Sequence, residues 1–481
     1  MVVFYFSYVK LYYIRGVNMN ISIILAAGEG TRMKSKLPKV LHRVCGRPLL
    51  KYVIDACKES EIEKNIVIIG HGGDQVKECL NGQSVTFKTQ PVGEGIPYGT
   101  GFAVMQAMDE IEDDSNVVIL CGDTPLIRKE TIKKLMEYHK NGNFHGTVLS
   151  AVLKDATGYG RIVREECGDL MKIVEHKDAA QDERKINEIN SGMYCFNGKA
   201  LKYALGKIDN NNSQGEYYLT DVISILKKED YRVGAYIIED STEIHGINTR
   251  VQLAFSEEVM RKRINENLML SGVTIINPDN TYIEDGVKIG RDTIIYPSVI
   301  IEGKCEIGDG CIIRSNSRIS NSKIANNVEI ESSLIEDSIV EEDCHIGPYA
   351  HLRPKSHLGK NVKIGNFVEV KNANINQNSK ASHLAYVGDA DVGKDVNIGC
   401  GVVFVNYDGI NKHRSTVGDN AFIGSNSNLV APVVVEEWGY VAAGSTITKE
   451  VKEGSLSIAR APQVNKEGWV DRKGLKNKKK K

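Results

Sequence analysis

The sequence predicts two folds in one chain: a three-layer α/β domain in the N-terminal half and a coil of short parallel strands in the C-terminal half. Two observations carry this prediction. Short apolar strands alternate with helical segments in the first half, and from Ile289 onward an aliphatic residue recurs at every sixth position. At 481 residues and 41% hydrophobic content, the chain is too long for a single core and suits two or three domains.

Charge and cysteine content exclude several classes of protein. A formal net charge of -1 gives no global field that would attract nucleic acid or a membrane, so we expect neither as a partner. The ten cysteines lack the spacing of a zinc site or a thioredoxin-like motif, which predicts free thiols in a reducing, cytoplasmic compartment. Residues 1–18 lack the features of a secretory signal and are too short and too charged to span a bilayer, so we assign them no function.

A glycine-rich loop follows the first predicted strand, at residues 21–25, and reads Ala-Ala-Gly-Glu-Gly-Thr-Arg-Met over 26–33. Gly28 and Gly30 would let backbone amides approach a polyphosphate, and Arg32 adds a charged contact. Lys39 is a second basic point, where we expect a helix to begin. A simple turn also explains the glycines, because their spacing matches neither the Rossmann nor the Walker pattern.

The other elements of this half alternate between strand and helix. We predict strands at 65–70 and 116–120 and helices at 101–108 and 131–139, an order typical of a mostly parallel sheet covered by helices. Ligands of such sheets bind beyond the carboxyl ends of the strands. Asp123 follows the strand at 116–120 and is therefore a candidate Mg²⁺ ligand, although an aspartate there is also a common turn or cap residue.

A six-residue period predicts the second fold. A helix repeats near 3.6 residues and a half-buried strand at two, so this count indicates a parallel β-helix. Small residues follow many of the aliphatics, as in Ile289-Gly290 and Ile423-Gly424, and we expect the strands to bend there. The aliphatic positions are Ile289, Ile295, Ile301, Ile307, Ile313 and Ile319, and then Val417, Ile423, Leu429, Val435, Val441 and Ile447.

Two interruptions of the period are candidate functional segments. The count slips by four residues between Val370 and Val392, and we expect residues 382–386 to leave the coil there; a second excursion lies between Phe404 and Val417. Polar and aromatic groups on loops that leave a scaffold are better functional candidates than groups inside it. A solenoid that serves only as a spacer or for assembly tolerates the same insertions.

Residues 249–270 connect the two halves. Apolar residues lie four apart at Val251, Phe255 and Val259, and then at Ile264 and Leu268, which predicts an amphipathic helix. At 1.5 Å per residue it would be about 33 Å long, and we expect it to hold the two domains apart as a rigid arm. The basic residues beyond 471 predict a solvated tail.

An ordered series of short motifs resembles one family. The motifs are LAAGEGTRM, LPKVLH, ILCGDTPLI, GYGRI, VEHKDA, EINSG, QGEYYLTD and GINTR, followed by HLRP, NFVEVK, SHLAYVGDA, VNIGCG, VNYDG and QVNKEGW. In this order they resemble the bifunctional bacterial N-acetylglucosamine-1-phosphate uridyltransferases / glucosamine-1-phosphate acetyltransferases, over about residues 19–469. The resemblance implies an α/β nucleotidyltransferase (Rossmann-like) domain at 19–248, the linker helix at 249–270, a left-handed parallel β-helix of hexapeptide repeats at 271–462 and a basic tail at 463–481. It also implies a homotrimer.

In the first domain the resemblance implies a UTP site with Mg²⁺ as cofactor. Arg32 and Lys39 match catalytic cations that face the phosphates, and Asp123 and Asn248 match the metal ligands. Nucleotidyl transfer depends mainly on alignment and charge neutralisation, which this set supplies. Nucleotide and sugar contacts match Leu25, Ala26, Ala27, Gly28, Lys39, Gln90, Gly99, Thr100, Gly160, Glu175, Asn190 and Asn248. Four extra residues within 92–98, and Cys121 in place of an aromatic residue, depart from the family pattern.

In the second domain the resemblance implies that His383 is the general base of acetyl transfer and that Glu369 orients its imidazole. Histidine suits this role because its unperturbed pKa of about 6.5 leaves it able to accept a proton. Sugar-phosphate contacts match Arg353, Lys371, Tyr386 and Asn397, and acetyl-CoA contacts match Cys400, Asn406, Tyr407, Ser425, Ala443 and Arg460. Cys400 stands where alanine is usual, which is tolerable if the backbone amide is the functional group.

The activity implied is synthesis of UDP-N-acetylglucosamine from small-molecule substrates. Acetyl-CoA first acetylates glucosamine 1-phosphate, and UTP then transfers UMP to the product with release of pyrophosphate. One alternative is a single-activity sugar-1-phosphate nucleotidyltransferase with a structural β-helix, which has no need of His383 and Lys371. Another is a catalytically silent sugar-nucleotide sensor, which has no need of the Asp123 and Asn248 pair.

Overall fold

The structure, a computed structural model, describes residues 19–478. Within this range it divides into two units, the first ending at Met260 and the second beginning at Arg261. Residues 1–18 and the last three of the basic tail lie outside the described part, and residues 463–476 are almost wholly exposed. No helix among residues 19–478 has the length and apolar character needed to cross a lipid bilayer.

The α-helices are α1 Leu49–Glu59, α2 Gly73–Cys79, α3 Thr100–Met105, α4 Lys129–Asn141, α5 Gly198–Leu205, α6 Asp221–Lys228, α7 Arg250–Leu270, α8 Trp469–Arg472 and α9 Leu475–Lys478. The main strands of the first unit are β1 Asn20–Ala26, β2 Lys64–Ile69, β3 Thr86–Thr89, β4 Asn116–Cys121, β5 Gly146–Val152, β6 Arg161–Arg164, β7 Leu170–Val174, β8 Glu188–Asn197 and β9 Val233–Ile237. The sheet order is β9-β5-β8-β4-β1-β2-β3, with β6 and β7 as a hairpin beside β8.

This sheet is mostly parallel and is covered on both faces. Strands β4, β1, β2 and β3 run parallel to one another, and β8 is antiparallel to both β4 and β5. Successive residues of a strand enter opposite cores: Ile23 belongs to one buried cluster and Ile24 to the other. Both faces are apolar because helices cover both, as expected for a three-layer α/β domain.

Two predicted helix positions need correction. The segment 101–108 is not one helix, because α3 ends at Met105 and a separate 3-10 turn, Met108–Glu110, follows. The chain after Lys39 forms only a 3-10 turn, Lys39–Leu41, and the α-helix begins at Leu49. A tight hairpin intervenes there, with Cys45 and Gly46 both at positive φ, a backbone conformation that a helix cannot contain.

The second unit is a three-sided coil of parallel strands. The first face contains Thr274–Ile275, Ile294–Ile295, Ile312–Ile313, Glu329–Ile330, His345–Ile346, Lys363–Asn366, Lys380–His383, Asn397–Ile398, Phe422–Ile423, Tyr440–Val441 and Leu456–Ser457. The second contains Tyr282–Ile283, Ile300–Glu302, Arg318–Ser320, Leu334–Glu336, His351–Leu352, Val403–Val405, Asn428–Val430 and Thr446–Ile447. The third contains Lys288–Ile289, Glu306–Ile307, Lys323–Ile324, Ile339–Val340, His357–Leu358, Ser415–Val417 and Val434–Val435, and the longer strands Glu369–Ile375 and Tyr386–Val392 span faces two and three.

The period arises because one residue per face points into a shared core. Ile346, Ile364 and Ala381 are stacked in register on the first face, and all three are buried in one continuous cluster. Neighbouring strands of a sheet lie about 4.8 Å apart, so each coil advances the chain by that distance. Each face of the coil therefore corresponds to about six residues, which is the period that the sequence shows.

The position of the bends differs from the prediction. Residues at positive φ, which turn each corner, stand two or three places after the buried aliphatic: Asp292, Ser298 and Asn316 are examples. The glycines directly after the aliphatics serve another purpose. A Cβ on Gly418 would lie 2.5 Å from the Glu437 nitrogen, and one on Gly424 would lie 2.5 Å from the Ala443 nitrogen. These positions are glycine because adjacent coils approach too closely for a side chain.

The slip between Val370 and Val392 does not produce a loop, which corrects the prediction for residues 382–386. The strand Lys380–His383 continues the first face and Tyr386–Val392 begins the second, with Leu384 at positive φ between them. The shortened spacing arises at corners of the coil, because a corner with one residue fewer still connects two faces. The second interruption is a true excursion, since residues 406–414 lie between Val403–Val405 and Ser415–Val417 and are joined by a Tyr407–Lys412 bridge.

Helix α7 spans the boundary between the units but is not amphipathic along its whole length. Val251 and Phe255 are 79% and 41% exposed, whereas Ile264 and Leu268 pack on the core of the β-helix. The step from Val259 to Ile264 is five residues, which rotates the second apolar stripe to the far side of a 3.6-residue helix. The predicted stripe therefore consists of two separate faces.

Close approach between coils makes a specific glycine necessary. We predict that Gly308→Ala destabilises the β-helix by about 1–3 kcal/mol, the usual cost of overpacking, because the new Cβ would lie 2.8 Å from the Asn326 nitrogen. Denaturant unfolding measures this. Gly206→Ala is the matched control, since its Cβ would have its nearest neighbour at 3.5 Å. An unchanged midpoint in Gly308→Ala would contradict the close-packing account.

Candidate active sites

A cavity of about 260 Å³ lies at the carboxyl ends of β1 and β4. These strands are parallel neighbours, so their ends meet at one edge of the sheet, where α/β folds bind ligands. Nine of the sequence-predicted residues line this cavity: Leu25, Ala26, Ala27, Gly28, Lys39, Gln90, Gly99, Thr100 and Asp123. Val40, Tyr98, Ala103, Cys121 and Glu216 complete the wall. The glycine-rich loop is therefore part of a built pocket and not only a turn.

Two cationic side chains and two side chains with acceptor oxygens meet beside this cavity. The Lys39 ammonium pairs with the Asp123 carboxylate and also donates to Asn248 Oδ1 at 3.1 Å. Arg32 donates to the same Asn248 oxygen at 2.8 Å. Residues far apart in the chain are thus brought into one charged cluster, as the predicted phosphate-binding set requires.

The donor set fits a hard divalent cation. A carboxylate oxygen of Asp123 and the amide oxygen of Asn248 converge on one point, which the Lys39 ammonium occupies. Both side chains lie beside Gly246, and a Cβ placed there would be within 3.6–3.8 Å of each. Magnesium is typically bound by one or two such oxygens together with waters and substrate phosphates. The site therefore offers two oxygen ligands to a divalent cation.

The three predicted amino-sugar residues form a second cluster. The backbone N–H of Asn190 donates to the Gly160 carbonyl at 2.9 Å. Glu175 Oε2 lies 3.5 Å from the place where a Gly160 Cβ would be. Burial raises the pKa of Glu175, although Thr220 donates a hydrogen bond to it. Asn190 Oδ1 also accepts from the Gly192 amide, and Gly192 touches Cys121 on the cavity wall. The cluster is thereby connected to the nucleotide cavity.

The two departures from the family pattern both border the cavity. Cys121 lines its wall, and burial, with Asp123 nearby, raises the pKa of its thiol to about 12. The thiol is neutral there and acts as a small apolar group. The extended segment 92–98 leaves Val92 and Tyr98 more than half exposed, and Tyr98 forms part of the rim.

In the second unit, several predicted residues form one column along a corner of the coil. Register pairs place His383 above Asn366, and the same first-face register carries on to Cys400, Ser425 and Ala443 on successive coils. Four stacked coils span about 14 Å at 4.8 Å per step. The side chain of Arg460 lies beside Gly444 at the end of this column. The predicted base and four of the six predicted acetyl-CoA contacts therefore form a continuous strip.

A cluster of positive charge lies on the adjoining second face. Arg353 and Lys371 occupy neighbouring coils in register, and Lys412 of the excursion lies against Lys371. Lys412, and after it Arg353, hold the pKa of Lys371 below its usual value. Like charges gathered this closely are a typical anion site. Sequence reasoning missed Lys412, because nothing in the chain indicates how the excursion folds back.

The structure records hydrogen bonds for both members of the predicted His383–Glu369 pair, each with another partner. The Glu369 carboxylate accepts from Arg353 at 2.7 Å. The His383 ring is instead bonded through Nδ1 to Asn366 Oδ1 at 2.7 Å. The register explains this, since Asn366 lies opposite His383, whereas Glu369 lies opposite Tyr386 on the next face.

A buried amide network supports the sugar-phosphate side. Asn406 is buried, and its amide donates to Asp389 and, at 3.3 Å, to the Tyr386 hydroxyl. Asn372 donates to the other Asp389 oxygen. Tyr407 is exposed and donates its hydroxyl proton to the Gly409 carbonyl at 2.6 Å. This network anchors the excursion to the coil, a role that sequence reasoning did not assign to Asp389.

Asn397 is the one predicted sugar contact that stands apart. It begins a first-face strand and lies opposite Lys380, whereas Arg353, Lys371 and Tyr386 belong to the second face. Two faces of one prism diverge from their shared corner. Within one chain, Asn397 and the cation cluster therefore belong to different faces of the coil.

Comparison with known proteins agrees with this two-part architecture. A nucleotidyl transferase family model matches residues 21–244, and a bacterial transferase hexapeptide model of six repeats matches residues 286–321 and 337–372. The fold is thus an α/β nucleotidyltransferase domain followed by a left-handed parallel β-helix.

Relatives extend the match over nearly the whole chain. Proteins named "Bifunctional protein GlmU" from Clostridioides difficile (strain 630) and Alkaliphilus oremlandii are each 57% identical over 457 residues, and one from Alkaliphilus metalliredigens is 54% identical over 458 residues. Each match covers 95% of this chain and 98–99% of the relative. The chain therefore belongs to the family of bifunctional GlmU proteins.

Proposed function

We propose that this chain makes UDP-N-acetylglucosamine by two successive transfers at two separate sites. The β-helix site acetylates glucosamine 1-phosphate with acetyl-CoA, and the α/β site transfers UMP from UTP to the product. The observations that carry the proposal are the cluster of Lys39 and Asp123 in the first unit and, in the β-helix, the cation cluster of Lys371, Lys412 and Arg353. A purely structural β-helix would have no reason to gather three cations.

At the first site, residues position two phosphate groups for in-line attack. The sugar-phosphate oxygen forms a bond to the α-phosphorus of UTP as the bond to pyrophosphate breaks. Arg32 and Lys39 neutralise the charge that develops on the phosphates, and Gly28 leaves its surroundings open to them. Asp123 and Asn248 would hold Mg²⁺, which supplies further charge neutralisation when bound. Gln90, Gly99 and Thr100 face the base, and Gly160, Glu175 and Asn190 face the amino sugar.

At the second site, His383 accepts a proton from the amine of glucosamine 1-phosphate. The nitrogen then forms a bond to the thioester carbonyl carbon of acetyl-CoA, and the CoA thiolate leaves. Arg353, Lys371 and Lys412 bind the phosphate group, because fixed positive charge is what a dianion needs. The strip of Cys400, Ser425 and Ala443 carries the pantetheine arm, with Arg460, Asn406 and Tyr407 as further contacts.

The second site is completed by another copy of the chain, in a homotrimer. Tyr349, Phe367 and Leu384 turn successive corners at positive φ and are 56–60% exposed, with the two aromatic rings stacked at 5.5 Å. Large apolar residues in this strained conformation are uncommon at a free surface. A neighbouring copy against this stripe would cover it and bring Asn397 to a cation cluster on a different face.

A cytoplasmic location accords with both substrates and thiols. No disulfide joins the ten cysteines, all of which lie within residues 19–478, as expected in a reducing compartment. UTP and acetyl-CoA are metabolites of that compartment.

The two activities are expected to be separable by single substitutions. Asp123→Asn removes a charge from the metal site and lowers pyrophosphate release from UTP and N-acetylglucosamine 1-phosphate at least about a hundredfold, with CoA release unchanged. His383→Ala lowers CoA release about 10²–10⁴-fold, with pyrophosphate release unchanged. Both rates are measured on the full chain. Acetyl transfer retained in His383→Ala would overturn the assignment of the base.

Lys412→Met is expected to raise the KM for glucosamine 1-phosphate about tenfold to a hundredfold. A hydrogen bond to a charged group is worth about 1.5–3 kcal/mol, and the variant removes one. The KM for acetyl-CoA and the uridyl transfer rate stay constant. Lys323→Met, which removes an exposed lysine elsewhere on the coil, is the matched control. An equal rise of KM in both variants would show that the loss of positive charge from the coil, and not the loss of a specific contact, weakens binding.

Light scattering is expected to give a mass of three chains. Tyr349→Ser with Phe367→Ser removes the stacked pair and shifts the mass towards one chain, because the apolar area buried between copies is lost. Ile237→Ser, at an exposed apolar position of the first unit, leaves the mass unchanged. A wild-type mass of one chain would contradict the assembly.

A further inference from the structure

We propose that Asn366 is the positioning residue that fixes the tautomer of His383, and that Glu369 has no part in this. The inference rests on the proposed function of His383 as the base of acetyl transfer. Its structural basis is the 2.7 Å hydrogen bond between His383 Nδ1 and Asn366 Oδ1. Among residues 19–478 this amide is the single hydrogen-bond partner of the imidazole.

The chemistry of the amide oxygen decides which nitrogen carries the proton. An amide oxygen only accepts, so Nδ1 must be the protonated nitrogen of a neutral ring. Nε2 then holds the lone pair and is the atom able to take a proton from the substrate amine. A histidine without this partner would exchange between tautomers, and one of the two has no lone pair at Nε2.

The surrounding charges do not supply an alternative partner. Lys363 and Lys380 lie at the starts of the two paired strands, three residues before Asn366 and His383. From the next face, Glu369 is held by Arg353 and Asp389 is held by Asn372 and Asn406. Lys371 faces Lys412, and the following coil brings only Cys400 to this corner. The imidazole is thus oriented by a neutral group.

A neutral partner has a consequence that a carboxylate would not have. A carboxylate beside Nδ1–H would favour the imidazolium form and hold more of the base protonated near neutral pH. The amide orients the ring without this penalty. The coil geometry makes the arrangement possible, because the position one coil before a corner residue is always its neighbour.

The test compares three variants of the full chain by the pH dependence of kcat/KM for glucosamine 1-phosphate. Asn366→Asp is isosteric and adds a negative charge. We therefore expect the acidic limb of the profile, where kcat/KM falls as the pH is lowered, to move to a pH about one unit higher, with activity recovering at high pH. Asn366→Ala removes the acceptor, and we expect kcat to fall about tenfold to a hundredfold at every pH. Glu369→Gln is expected to raise the KM through Arg353 and to leave the limb in place.

A second readout reports the tautomer directly. In a chain labelled with ¹⁵N-histidine, with His383 assigned by its loss in His383→Ala, we expect Nδ1 to be protonated and Nε2 unprotonated at high pH. This signature is lost in Asn366→Ala and kept in Glu369→Gln. An acidic limb that moves in Glu369→Gln but not in Asn366→Asp would overturn the inference, as would an unprotonated Nδ1 in the wild type.

The outcome is separable from that of the proposed function. Acetyl transfer retained in His383→Ala removes the base itself and with it the function. Transfer lost in His383→Ala, with no shift of the limb in Asn366→Asp, leaves the function intact and rejects Asn366 alone. Uridyl transfer by the same protein, at the site of the first unit, serves as the control for the amount of intact chain in every variant.

Discussion

The parallel register of the coil is the constraint on which the second half of the molecule depends. Each coil pairs with the next at about 4.8 Å, and the pairing places Asn366 against His383 and Glu369 against Tyr386. The chemical environment of a side chain is therefore set by the residue one coil away and not by its neighbours in sequence. Where coils approach most closely, as at Gly424, no side chain fits. The scaffold that orders the core also orders the chemistry.

The same principle acts in the first half through a flatter sheet. Parallel strands end together, so the loops after β1 and β4 share one cavity. Distant residues then meet there, and Asn248 accepts hydrogen bonds from both Arg32 and Lys39. In both halves, a parallel arrangement converts separate segments of sequence into one site.

In both sites, cationic side chains are paired with carboxylates of the same chain. Lys39 rests on Asp123, and Arg353 rests on Glu369. An unpaired charge in a partly buried site is costly, so these pairs keep the cations oriented. Lys371 differs, because its close neighbours are cations and its pKa is lowered. Binding of an anion would relieve that repulsion.

Local sequence determined the two folds, the core positions and most of the first site. Alternating and six-residue periods depend only on which side chains are apolar, so Ile23 and Ile423 could be assigned to cores without coordinates. The glycine-rich loop and Asp123 were identified because short motifs follow strands in a fixed order. Family resemblance, and not spacing, identified His383.

Tertiary structure alone decided the partners of the side chains. The bond from His383 to Asn366 depends on where a residue is dropped from a coil. The contact of Lys412 with Lys371 depends on how the excursion folds back. The sequence period does not record whether a missing residue opens a loop or tightens a corner. That choice depends on packing between coils, a long-range energy that no local pattern of residues contains.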